Sequence, residues 1–211
     1  MHMPAEWEPH SAVWFGWEEE YHTCNLVSAE LIKIITNNVQ VKISVPSDSV
    51  LSVARKFMFE QGIDTSKLEF LICPGDRFWI RDYGPTFLID DKGKLGAADF
   101  IFDANGNTNW YKEKYNNNKD SIAKYLKADK LKKTSEIDSL IAVYEHAQIR
   151  KSDLIHEGGA TEVNGKGVLI LCESTVFQRN PDRSKTDVEE IFKNILAVKK
   201  IIWMKKGLAD D

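Results

Sequence analysis

The chain has 211 residues, 43% of them hydrophobic and 28% charged, which is enough to bury a substantial core in one domain spanning 1–211 without disulfide or metal staples. Its 28 basic and 32 acidic residues sum to −4, and no Lys/Arg block stands out, so a nucleic-acid or anionic-membrane surface is not expected as the main function. No apolar run is long enough to cross a bilayer, and the start, Met1-His2-Met3-Pro4-Ala5-Glu6, shows no basic segment followed by an apolar one, so a cytoplasmic location is expected.

Val13–Trp17 reads as an apolar strand, and Leu26–Ile35 carries helical apolar spacing. Val39, Val41, Ile43 and Val45 alternate with polar residues up to Pro46, the pattern of a half-buried strand. A helix over Ser49–Gln61 is expected to end at Gly62, and Leu68–Cys73 forms a strand that stops at Pro74-Gly75. The strands Phe78–Ile89 and Leu95–Phe102 flank a hairpin turn at Asp91-Lys92-Gly93. From Asn116 to Ser139 the chain turns polar; an exposed helix near Asp120–Leu126 followed by a surface loop is predicted there, a solvated face with no role. Thr161–Ile170 reads as a hairpin around an Asn164-Gly165 type I′ turn. Ser184-Lys185-Thr186-Asp187 is a capping box that opens a helix with Val188, Ile191, Phe192, Ile195 and Leu196 on one face, and Lys199–Met204 is a last strand. No composition shift marks a linker. An α/β or α+β domain of repeated units follows.

Cys24, Cys73 and Cys172 are dispersed, with no CxxC or zinc-ligand spacing, and each is read as a small buried hydrophobe.

Two segments are locally odd. Phe78-Trp79-Ile80-Arg81-Asp82-Tyr83-Gly84-Pro85 sets an indole, a guanidinium and a carboxylate at a strand-to-turn junction. A carboxylate beside an aromatic face can hold a cation, by Coulomb attraction on one side and the ring quadrupole on the other. A structural Arg81–Asp82 turn with a core tryptophan explains the same residues, and spacing alone favours it. Ile155-His156-Glu157-Gly158-Gly159 places a carboxylate before two glycines, where backbone can pass close to a ligand. A plain turn feeding the next hairpin is again the simpler reading. A metal at His156-Glu157 is discarded, because adjacent side chains point apart and no third ligand is near.

Trp7-Glu8-Pro9-His10, Trp79 to Pro85, Glu157-Gly158-Gly159 and Arg179-Asn180-Pro181 occur in that order, and together they resemble the agmatine deiminase / Porphyromonas-type peptidylarginine deiminase family of the pentein superfamily. The resemblance runs from about Met3 to Asp211. It implies an α/β propeller of five ββαβ-type units, of which this chain would hold about three as the N-terminal portion of a longer domain. It also implies hydrolysis of a guanidinium to a ureido group and ammonia, with no metal or organic cofactor. Agmatine, converted to N-carbamoylputrescine for putrescine and polyamine biosynthesis, is the favoured substrate. By the same resemblance Asp82 would hydrogen-bond the guanidinium, Trp79 would line or stack on the substrate, and Glu157 would orient and charge the catalytic histidine. The family's remaining essentials are a His-x-Asp segment and a late cysteine nucleophile.

The ending, Trp203-Met204-Lys205-Lys206-Gly207-Leu208-Ala209-Asp210-Asp211, resembles the stretch just before that His-x-Asp, so the histidine and the nucleophile are expected beyond it and this chain alone is expected to be inactive. An incomplete fan exposes strand edges and an apolar face, which invites homo-oligomerisation. Peptidylarginine deimination is the nearer alternative; it is disfavoured because the carboxylate-binding arginines of that branch are missing from Asp103-Ala104-Asn105-Gly106-Asn107 and no export signal is seen. A catalytically dead guanidinium-binding module, or a non-enzymatic propeller like the ribosome anti-association factors, are the readings from other classes.

Overall fold

A computed structural model describes residues 1–17, 19–75, 78–104, 115–116, 118–126 and 129–207. Parallel strands cannot be joined by a tight turn, and the first unit follows from that. Strand β1 (Ala12–Gly16), helix α1 (His22–Ile35), strand β2 (Gln40–Val45), helix α2 (Asp48–Glu60) and strand β3 (Leu68–Ile72) alternate and give an all-parallel sheet of order β1-β2-β3. The central strand is covered on both faces: Val41, Ile43, Ser44 and Val45 are all fully buried, so β2 is not the half-buried strand its alternation suggests. Helix α2 starts at Ser47, whose side chain accepts from the Val50 N–H, and Gly62 follows its end in the left-handed conformation, φ +76°.

The next segment departs from the predicted strand. Ile80–Tyr83 is a single helical turn, α3, closed by the Gly84 N–H donating to the Ile80 carbonyl at 2.8 Å. Ile80 and Tyr83, three apart, pack into one core cluster with Phe102, Ile137 and Ile141. Pro85 disfavours helical backbone at Gly84, so the turn ends there. Strands β4 (Thr86–Ile89) and β5 (Leu95–Ile101) then form the expected hairpin, with the Asp90 carboxylate accepting from the N–H groups of Lys92 and Lys94 and Gly93 at φ +78°.

Three helices follow, α4 (Lys119–Leu126), α5 (Asp129–Thr134) and α6 (Ile137–Tyr144), before β6 (Gln148–Ile155) pairs in parallel with β5. The helix expected near Asp120–Leu126 is α4; the surface loop expected after it is instead α5 and α6. Leu131, Thr134, Ile137, Asp138, Ile141 and Ala142 are buried at helical spacing, so much of this stretch is core and not a solvated face.

Strands β7 (Glu162–Val163) and β8 (Val168–Cys172), helices α7 (Glu173–Arg179) and α8 (Lys185–Leu196), and β9 (Lys200–Met204) complete a sheet of order β7-β8-β9. The hairpin is present but not as a type I′ turn, which needs positive φ at both central residues. Gly165 and Gly167 have positive φ and Asn164 does not; the Asn164 side-chain oxygen instead accepts from the Lys166 and Val168 N–H groups. The Ser184/Asp187 capping box forms as expected, and Val188, Phe192 and Leu196 of α8 are fully buried.

The chain therefore builds three three-stranded sheets. The second and third are ββαβ units, each an antiparallel hairpin with a parallel third strand, whereas the first is βαβαβ. The N-terminal segment ties two of them together. His2 makes a two-way backbone bridge with Ile89 of β4, and Ala5 lies against the Gly165 loop, where a Cβ would come within 2.8 Å of the Ala5 nitrogen. Among the described residues no helix is long and apolar enough to cross a membrane.

Candidate active site

Helix α3 and the turn after β6 meet back to back, and glycine makes the contact close enough. A Cβ at Gly158 would stand 2.2 Å from the Arg81 carbonyl oxygen, and one at Gly159 would stand 2.3 Å from an Asp82 carboxylate oxygen. At Gly158 the obstacle is backbone, so only glycine fits there, whereas a side chain at Gly159 would have to push the Asp82 carboxylate aside. The Glu-Gly-Gly sequence thus brings the Asp82 and Glu157 segments side by side, although 75 residues separate them in the chain.

Trp79 is 57% exposed at the entrance to α3, so it is not the core tryptophan of the simpler reading. It borders an apolar groove of about 400 Å³ lined also by Trp14, Val27, Leu31, Phe78 and Arg81. The Arg81 guanidinium pairs with Glu6 of the N-terminal segment.

Glu157 lies mostly buried and forms an ion pair with Arg179, which is buried as well. Burial pushes its carboxyl up; the hydrogen bond and charge of Arg179 oppose that, and the nearby charges of Asp82 and Asp103 add to the rise. Among the described residues, the carboxylates of Asp82, Asp103 and Glu157 and the guanidinium of Arg179 share this corner, a set that can receive a cationic ligand.

His156, next to Glu157 in sequence, faces the other way. Its ring packs edge-on against Phe100 and Phe192, with centroids 5.2 and 4.9 Å away, and its Nε2 lies 2.6 Å from Thr161 Oγ1. Burial, with Arg179 adding to it, pushes its pKa down to about 3, so the ring is neutral and belongs to the core. No group of metal-ligating side chains occurs among the described residues.

The two segments border a small recess of about 10 Å³, the room of one water molecule, lined by Asp82, Tyr83, Phe100, Asp138, His156 and Glu157. Asp138 heads α6 and is 6% exposed. Burial, followed by the charge of Asp99, pushes its carboxyl up to about 8. Asp138 fell within the stretch assigned no role, and the only sequence signal for it was the buried helical period it shares with Thr134, Ile137 and Ile141. In the sequence Arg179 is part of a motif with no function of its own, and Asp103 only part of a segment.

The cysteines divide. Cys73 is fully buried, as expected; Cys24 and Cys172 are only half-buried. Burial works to raise the Cys172 thiol, but hydrogen bonds from Ser174 and Thr175 at the start of α7 outweigh it and lower the pKa below that of an ordinary thiol.

The family model for the Porphyromonas-type peptidyl-arginine deiminases matches residues 2–211. The agmatine deiminase of Pseudomonas aeruginosa (strain LESB58) is 28% identical to this chain over 224 residues, 99% of this chain and 54% of the relative. That of Stutzerimonas stutzeri (strain A1501) is 30% identical over 220 residues, covering 100% and 54%. The solved agmatine deiminase of Enterococcus faecalis has the same fold over 96% of this chain and 52% of its own, at a TM-score of 0.76 and 23% identity. The chain spans about half the length of the curated relatives it matches. With its motifs in order, its Asp82 and Glu157 segments joined through two glycines, and a family match from residue 2 to residue 211, the chain belongs to the Porphyromonas-type peptidyl-arginine deiminase family.

Proposed function

We propose that this chain forms the guanidinium-binding part of a deiminase that hydrolyses agmatine to N-carbamoylputrescine and ammonia. The observation that carries the reading is the close approach of helix α3 to Gly158 and Gly159, which sets Asp82 beside the Glu157 turn, next to an exposed Trp79. The names of the relatives supply the substrate. In this reading the three sheets are about three of the five units of a pentein fan.

A guanidinium is a poor electrophile because its charge is delocalised. Asp82 fixes its plane by charge-assisted hydrogen bonds and draws positive charge to one side, and Trp79 holds the alkyl arm. A cysteine thiolate, carried by the half of the relatives' length that this chain does not span, adds to the central carbon. The C–N bond then breaks, and a histidine oriented by Glu157 protonates the leaving ammonia. The same histidine takes a proton from water, which displaces the sulfur to give the ureido product.

Titration calorimetry of the 211-residue chain with agmatine, run beside an assay for ureido product, tests this. Micromolar-to-millimolar binding that Asp82→Asn abolishes is expected. No heat in either protein would sink the assignment, and tighter binding of an arginine-terminated peptide than of agmatine would move it to the peptidylarginine alternative. Binding without any product, in a form that carries the histidine and the cysteine, would support a guanidinium-binding module instead.

A further inference from the structure

The motif Arg179-Asn180-Pro181 sits at the end of α7, and its two polar side chains reach one short stretch of chain. Asn180 is 7% exposed, and its amide behaves as a strand's backbone would. Its Oδ1 accepts from the Ile155 N–H at 3.0 Å, and its Nδ2 donates to the Ile155 carbonyl at 2.9 Å. Strand β6 is the edge of its sheet, and Ile155 turns these two groups outward while the next residue, His156, donates across to Ile101. Asn180 thus satisfies a sheet edge at its last residue, where an unpaired backbone pair would otherwise be buried. Two residues on, Arg179 holds the Glu157 carboxylate, with 8% and 11% of the two side chains exposed. Pro181 cannot continue a helix, so α7 ends with these neighbours aimed at successive points of the same segment.

We infer that Arg179 and Asn180 are positioning residues that clamp Glu157 at two points, Asn180 fixing the backbone at Ile155 and Arg179 fixing the carboxylate itself. This rests on the reading of Glu157 as a working group. Among the described residues the charged groups that face Glu157 are Arg179 from α7, Asp82 from α3 and Asp103 beyond β5, with His156 beside it in the chain. Two of these charges and the burial oppose ionisation, and Arg179 is the cation set against them. Removing it leaves a mostly buried carboxyl among like charges, which takes up a proton more readily.

The test is a carboxyl NMR titration of the 211-residue chain labelled with ¹³C at glutamate Cδ, with the Glu157 signal identified by its loss in Glu157→Gln. Arg179→Met should raise the Glu157 midpoint by about one pH unit or more, and Arg179→Lys should restore most of it. Asn180→Ala should speed amide exchange at Ile155 by roughly tenfold or more relative to the middle of β6, with the Glu157 midpoint nearer that of the parent. If Arg179→Met does not fold, Arg179→Gln, which keeps a donor without the charge, takes its place. An unchanged midpoint in a folded variant lacking the charge, or unchanged Ile155 exchange in Asn180→Ala, overturns the clamp. Neither readout uses substrate, so a failure to bind agmatine would defeat the proposed function and leave this result standing.

Discussion

Gly159 and Asp82 are in contact through the one direction a side chain would occupy, since a Cβ on the glycine would lie 2.3 Å from the aspartate's oxygen. Gly159→Ala must therefore displace the carboxylate. A weakening of agmatine binding by about tenfold is expected, with a modest fall in Tm because a side chain is what yields. Gly158→Ala should behave differently. Its Cβ would meet the Arg81 carbonyl at 2.2 Å, and backbone cannot swing aside, so a loss of roughly 1–3 kcal/mol in stability is expected by denaturant titration. Equal effects of the two substitutions on binding and stability would contradict this division.

In a form of the protein that turns over, Asp82→Asn should lower the rate by about 10² or more, the scale of losing one charge-assisted contact to the reacting group. Glu157→Gln should depress the rate and leave agmatine binding largely intact. A binding defect with normal turnover at saturation would reassign Glu157 to substrate contact.

Asp138 and His156 make opposite contributions to stability as pH changes. The Asp138 carboxyl rises from 3.8 to about 8 on folding, so the folded state carries the extra proton between those values and stability falls as pH rises through them, at most about 1.4 kcal/mol per unit. The His156 ring falls from 6.5 to about 3, so the unfolded state carries the extra proton and stability rises with pH across that range. The two slopes oppose each other from about pH 4 to 6.5; above that the His156 contribution is constant while that of Asp138 continues to fall. Asp138→Asn should flatten the decline in Tm between pH 6.5 and 8. A decline identical to that of the parent would show that Asp138 is not its source.

Phe192 is fully buried where α8 meets the second sheet, packed against both Phe100 and His156. Phe192→Ala should cost about 3–5 kcal/mol in urea unfolding. A cost under about 1 kcal/mol would mean that the site collapses around the missing ring.

The regular elements were legible wherever the apolar period was clean and the caps were local, as in α2, α8 and β8. The type of element was misread where tertiary contacts decide it. Ile80-Arg81-Asp82-Tyr83 looks extended beside two aromatic residues, but the core takes Ile80 and Tyr83 together, which only a helical turn permits. Around Leu131–Ala142 the lysines at 130, 132 and 133 dominate the composition and hide a buried face. The site was legible as motifs and not as geometry. Nothing local to Arg179 says that its guanidinium reaches Glu157, or that Gly159 is small on account of Asp82, because those contacts join residues 22 and 77 positions apart.

The pairing of His2 with Ile89, together with the seating of Ala5 on the Gly165 loop, has a practical side. The first residues act as a seam between two sheets, and Met1 lies so near Gly96 that a Cβ there would come within 2.5 Å of its sulfur. A purification handle fused ahead of Met1 would load that seam instead of trailing from a loose end. Proteolytic trimming by a few residues would unpick a strand pairing, remove Glu6 from Arg81 and so slacken the approach to Asp82.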